Sequence, residues 1–184
     1  MASKIKRNQP QKRPKSKGIA RSAKAESKAR RTIEEGGKAP RFSLPAAGGG
    51  TVSLADFAGR GLVLYFYPRA DTSGCTREAI DFTRLQPQFK RAGADIVGVS
   101  ADPVDALDAF RKKHGLAIAL ASDEKHAMLE AYGVWQEKSM YGRTFLGIVR
   151  TTVLIGPDGR VLRVWPKVKV EGHADEVLAA VKAL

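Results

Sequence analysis

The order of apolar runs predicts an α/β chain with a mixed central β-sheet sandwiched by helices. Three short β-prone runs alternate with helical patterns, a strong turn signal joins two further apolar runs, and an amphipathic helix closes the chain. The first run, "LVLYFY" at 62–67, is apolar without a break, as a strand covered on both faces must be. A helix is expected over 76–91, with Pro87 inside it predicting a kink or a restart. "DIVGVS" at 95–100 is the second strand. Asp102 and Pro103, with Asp105 behind them, start a helix that runs to about His114. "AIALAS" at 117–122 is the third strand, after which Ser122 or Asp123 caps a helix to Tyr132, closed by Gly133.

"TTVLI" and "VLRVW" flank "GPDGR", the clearest hairpin in the chain. The last helix covers about 174–184, with Val177, Leu178, Val181 and Leu184 at helical spacing. Upstream, "KAPRFSLPAAGGGTVSL" reads as a surface approach leading to a short strand near 51–53, and "LADFAG" as a short helical turn. No Lys-Ser/Thr follows the three glycines, so they mark a hairpin turn rather than a phosphate cradle. This element order suits a thioredoxin-like fold, and no internal repeat is visible.

Charge divides the chain. Residues 1–38 carry thirteen Lys/Arg against three Glu, a net of +10 within the overall +13 of the 184 residues. That segment has three Ile and no Leu, Val or aromatic residue, too little apolar surface to offset its ordering entropy. Residues 1–37 are therefore expected as a basic, disordered extension with at most a weak helix in "IARSAKAESKARRTIEEGG", and 38–184 as one domain. The extension would bind polyanions such as nucleic acid through counterion release; a solvated extension without a dedicated partner competes with that reading. "KRPKSK" has the composition of a nuclear address, and an organelle transit peptide is a lesser option. No run is long and apolar enough for a membrane span or a secretory signal core, so no membrane partner is expected. The single cysteine excludes an internal disulfide, and a reducing cytosol is the simplest home.

That cysteine, Cys75, stands in "FYPRADTSGCTREA" between a buried strand and a helix. A lone cysteine is more often a small buried hydrophobe than a catalyst. Here a helix start aims N–H groups and positive potential at the sulfur, which favours thiolate over thiol. Thr72, Ser73 and Gly74 are small and polar, unlike a core lining, and Pro68 fixes the exit from the strand. Together they describe a reactive thiol in a shallow pocket. Metal ligation is not expected, because His114, His126 and His173 are dispersed near helix ends, where solvation or capping is the simplest role. Trp135, Trp165 and the Phe residues are most simply packing groups.

The spacing Pro68-x-x-x-Thr72-x-x-Cys75 resembles that around the peroxide-reacting cysteine of the peroxiredoxin family. "FYPRADTSGCTREAIDF" is most similar to its PrxQ, or bacterioferritin comigratory protein, branch, and the likeness continues in "DIVGVSAD", "YGVW", "YGRTFLGIVRTTVLIGPDG" and "VWPKVKVEGHADEVL". The resemblance implies that Cys75 attacks the O–O bond and becomes a sulfenic acid. It implies that Thr72 hydrogen-bonds peroxide and thiolate, that Pro68 shields the pocket, and that Arg150 pairs with the thiolate, with Glu78 orienting the arginine. Many PrxQ proteins carry a resolving cysteine five residues on; here that position is Ile80, so the chain resembles a one-cysteine variant.

The expected function is thus a thiol peroxidase without cofactor, taking hydrogen peroxide and organic hydroperoxides, recycled by thioredoxin or by glutathione with glutaredoxin, as a monomer or weak dimer. A thiol–disulfide oxidoreductase needs C-x-x-C, where this chain has Thr72, and thioredoxins place a proline where it has Arg150 and Thr151. A nucleic-acid-associated protein, the remaining alternative, rests on the basic extension alone.

Overall fold

The computed structural model describes residues 33–184. Most of the basic extension and the weak helix expected in it lie outside the described residues. Strands β1 (Ser43–Pro45) and β2 (Thr51–Ser53) form an antiparallel hairpin, followed by a 3-10 turn at Leu54–Phe57. The central sheet then builds from β3 (Gly61–Phe66), α1 (Ser73–Arg91), β4 (Ala94–Ser100), α2 (Val104–His114), β5 (Ala119–Ser122) and α3 (Ala127–Ala131). After β6 (Trp135–Met140) and β7 (Arg143–Ile148) come β8 (Thr151–Ile155), β9 (Val161–Pro166) and α4 (His173–Lys182). The sheet order is β5-β4-β3-β8-β9, with β3, β4 and β5 parallel and β8 antiparallel to both its neighbours.

The unbroken apolar run of β3 serves two cores. Val63, Tyr65 and Tyr67 join Phe82 and Phe89 of α1, Phe110 of α2 and Val177 of α4 on one face. Leu62, Leu64 and Phe66 join Leu129 of α3 and Leu44 and Val52 of the first hairpin on the other. The two parallel connections run in the same direction across the sheet, so right-handed crossovers put α1 and α2 on one face.

Three elements differ from expectation. Helix α1 starts at Ser73, three residues early, because a first turn needs no N–H donors of its own and small polar residues suffice there. It also runs through Pro87 without a restart, since Leu85 and Phe89 on either side are buried in the core. Helix α3 is short: the Asp123 carbonyl accepts the His126 N–H (2.9 Å) and its carboxylate the Leu129 N–H (2.8 Å), which holds a turn with His126 at φ +58° before the helix begins. The β6–β7 ribbon carries no strong apolar alternation. Its signal is the two-residue turn of Tyr141 and Gly142, both at positive φ (51° and 74°), which twists as a hairpin requires.

Candidate active site

Cys75 occupies the third residue of α1, behind Thr72 as N-cap. The first turn is closed by the Thr76 N–H donating to the Thr72 carbonyl (2.8 Å), which leaves the preceding N–H groups without helical partners beside the sulfur. The thiol is 2% exposed and lies among Tyr65, Tyr67 and Ala79. Arg150 comes from the loop that enters β8, whose first residue Thr151 is in register with Phe66 at the end of β3. Strand pairing therefore delivers the guanidinium to the place where α1 begins. Its Nη2 donates to Cys75 Sγ at 3.2 Å, and its Nη1 donates to Glu78 Oε2.

Glu78 follows Cys75 by three residues, so one face of α1 presents both groups to one arginine. The carboxylate is 1% exposed, and burial lifts it to about pKa 7 against the pull of Arg150. Burial also works against the arginine's charge, yet Glu78 and Cys75 together hold its pKa above the ordinary value. Arg150 is thus a fixed cation shared between a sulfur and a carboxylate near its proton balance.

Thr72 and Pro68 stand exposed at the mouth. The Thr72 hydroxyl donates to the Arg69 carbonyl (3.0 Å), which closes the loop on itself. That loop is also anchored where the Ala70 N–H donates to the Asp102 carboxylate (2.7 Å), itself a partner of the Ser100 hydroxyl (2.8 Å). Asp71, at φ +58°, binds Lys113 Nζ (2.6 Å) and His114 Nε2 (2.7 Å) of α2. Sequence reasoning placed Cys75, Arg150, Glu78, Thr72 and Pro68, and the structure brings the first three into contact.

It missed what lies behind them. The Tyr65 ring packs over Gly98 of β4, where a Cβ would sit 2.5 Å from the ring's Cζ and hydroxyl oxygen. Burial, reinforced by Tyr67 and Glu78, raises the Tyr65 pKa well above normal, so the phenol stays neutral. His173 is buried rather than solvated: its Nε2 meets Thr152 Oγ1 at 2.8 Å, and its ring stands edge-on to Phe82 and Trp165. Nothing local in the sequence pairs His173 with Thr152, which lies 21 positions away. Phe145 is not a packing group, being 43% exposed on the β6–β7 ribbon.

A cysteine at a helix start with a permanent cation on its sulfur is equipped for nucleophilic attack with developing negative charge stabilised. The AhpC/TSA family model matches residues 36–164. The chain belongs to this family, the peroxiredoxins, and is a thiol-dependent peroxidase of thioredoxin-like fold. Its relatives lie on the PrxQ, or Bcp, branch. It is 50% identical to Peroxiredoxin Bcp of Xanthomonas campestris pv. campestris, over 79% of this chain and 92% of that protein. It is 43% identical to Peroxiredoxin Bcp of Bacillus subtilis, over 82% and 96%. A solved structure of Xanthomonas campestris Peroxiredoxin Q superposes with a TM-score of 0.74 at 50% identity, covering 77% of this chain and 90% of that one. A cysteine variant of Xylella fastidiosa PrxQ gives 0.78 at 39%, covering 82% and 96%. Another structure of the Xanthomonas campestris protein, with trapped intermediate and ligand, concerns its alkyl peroxide reduction activity.

Proposed function

We propose that residues 38–184 reduce hydrogen peroxide and organic hydroperoxides at Cys75, with an external thiol restoring the enzyme. The observation that carries this reading is the 3.2 Å contact between Arg150 Nη2 and the only sulfur nucleophile in the chain. The Cys75 thiolate attacks the terminal peroxide oxygen; an S–O bond forms as the O–O bond breaks, and the departing alkoxide takes a proton to leave as alcohol or water. Arg150 stabilises the charge as it moves from sulfur to the leaving oxygen. Thr72, whose hydroxyl now rests on the Arg69 carbonyl, turns to the peroxide when substrate enters, and Pro68 walls the mouth. Organic hydroperoxides are included because a close relative is studied for alkyl peroxide reduction.

The product is a sulfenic acid. No second thiol exists in the chain, so reduction comes from outside, by thioredoxin or by glutathione with glutaredoxin, and excess peroxide drives Cys75 to higher oxides. Both donor systems belong to a reducing cytosol, and the body acts there as a monomer or weak dimer. The basic segment ahead of the domain binds polyanions through counterion release and favours association with the nucleoid or nucleus. Among the described residues, no helix is long and apolar enough to cross a membrane. Steady-state peroxide consumption with the two donor systems side by side tests the peroxidase reading. Turnover with at least one of them, abolished by Cys75→Ser, is expected; equal turnover by that variant would refute it.

A further inference from the structure

Two loops frame the mouth of the Cys75 site, and each packs one apolar side chain against the core cluster that holds the sulfur. Ala70 does so from the β3–α1 loop and Val168 from the β9–α4 loop. The backbone fixes both anchors: the Ala70 N–H donates to the Asp102 carboxylate (2.7 Å), and the Val168 N–H donates to the Arg150 carbonyl (3.0 Å). Their neighbours in sequence, Arg69, Lys167 and Lys169, are left exposed at the rim. None of the three has an ion-pair partner among the described residues. The carboxylates close by are engaged elsewhere: Asp71 with Lys113 and His114, Asp102 with Ala70 and Ser100, and Glu78 with Arg150. Glu171 is the acidic residue left in the β9–α4 loop. With Arg150 below the rim, the approach to the sulfur is lined by positive charge, which concentrates small anions there.

Oxidation of Cys75 sets a second condition. The sulfur is 2% exposed, and no other thiol in the chain can carry the oxidation outward. The loop over it is tied to α2 through Asp71 and to the end of β4 through Asp102. A donor must therefore reach the sulfur through the mouth as it stands. A small molecule can enter; a thiol held on a folded protein surface needs the loop to open first.

We infer that the rim of Arg69, Lys167 and Lys169 selects a small thiol carrying carboxylates as the direct reductant of oxidised Cys75. This rests on the peroxidase reading and names the chemical class of the donor. The donor's thiolate attacks the Cys75 sulfur; an S–S bond forms as the S–O bond breaks, and the departing hydroxide takes a proton to leave as water. A second donor thiolate then attacks the donor sulfur of that mixed disulfide, which releases the Cys75 thiolate and the donor disulfide. Two thiols are oxidised and one sulfenic acid is reduced. The rim cations hold the carboxylates while a further negative charge, the thiolate, moves inward.

The test starts from full-length protein whose Cys75 has been converted to sulfenic acid by one equivalent of hydrogen peroxide. Its reduction is followed by mass spectrometry of acid-quenched samples, with mercaptosuccinate, which carries two carboxylates, and with cysteamine, which carries an ammonium. In Arg69→Gln/Lys167→Gln/Lys169→Gln the rate constant with mercaptosuccinate should fall about tenfold, and that with cysteamine should not fall. Salt should slow mercaptosuccinate with the wild type and have little effect with the variant. Arg41, beside Pro157 at the far end of the sheet, provides the control, and Arg41→Gln should leave both rate constants unchanged. An equal loss with both thiols, or none with mercaptosuccinate, would overturn the inference and leave the peroxidase intact. Reduction of the wild type by thioredoxin but not by mercaptosuccinate or glutathione would overturn it in favour of a protein donor. Failure of wild-type Cys75 to form a sulfenic acid would overturn the peroxidase reading itself.

Discussion

At the scale of residues the site depends on one guanidinium divided between two acids. Arg150→Ala removes the cation from Cys75 and leaves Glu78 buried without its partner. The rate constant for peroxide, read by stopped-flow oxidation of Cys75, should fall about 100-fold, as on loss of one donor to a developing anion. Arg150→Lys should recover little of it, because an ammonium cannot fork between a sulfur and a carboxylate. Gly98 tests the wall behind the sulfur. With a Cβ only 2.5 Å from both the Tyr65 Cζ and its oxygen, Gly98→Ala should cost about 1–3 kcal/mol in denaturant unfolding, the usual range for overpacking. Adding Tyr65→Phe should restore only part of that loss, since the ring carbon is as close as the hydroxyl. The motif made Cys75 and Arg150 legible from sequence. Gly98 was not, because nothing local says which strand residue lies opposite a given tyrosine.

Elements show why the oxidised cysteine is stranded and how it could be rescued. Ile80 lies five residues after Cys75, on a different side of α1: Cys75 is buried, and Ile80 is 43% exposed. Ile80→Cys should therefore have only a small effect on stability. A disulfide between the two positions still requires the first helical turn to open. That turn is small and polar, but its loop is tied down by Asp71 and Asp102. Ile80→Cys treated with stoichiometric peroxide should yield an intramolecular disulfide by mass spectrometry and faster turnover with thioredoxin. Two thiols that stay separate, or an over-oxidised Cys75, would mean that the turn does not open.

The elements read correctly from sequence were those fixed by burial on two faces, as in β3 and β4, or by turn chemistry, as at "GPDGR". Those read poorly were decided by a local turn that competes with the helix, as at the delayed start of α3, or by solvent, as in the exposed β6–β7 ribbon.

The whole molecule balances two buried titrations in one layer. Burial, opposed by Arg150, raises Glu78 from its ordinary 4.5 to about 7. An acid raised in the folded state adds stability that is complete below pH 4.5 and is lost as pH rises through 7. Burial lowers His173 from 6.5 to about 4, with Glu176 opposing and Arg150 assisting. A base lowered in this way adds stability that is present above pH 6.5 and is lost as pH falls toward 4. Between pH 4.5 and 6.5 the two slopes oppose each other. The thermal midpoint of the wild type should vary little there, and that of Glu78→Gln should climb with pH; a level profile in that variant would contradict the assignment of the two groups. Both sheet edges are also covered, β9 by the segment around residues 36–38 and β5 by the Ala46 and Ala47 backbone, which limits edge-to-edge association.

The central claim is that Cys75, activated by Arg150, takes oxygen from peroxide and keeps it until an outside thiol arrives. Intact-mass analysis after one equivalent of hydrogen peroxide, without reductant, is its most direct test. One added oxygen, mapped to Cys75, trapped by a sulfenic acid reagent and absent from Cys75→Ser, is the predicted result. An unmodified Cys75 after the peroxide has been consumed would contradict the account.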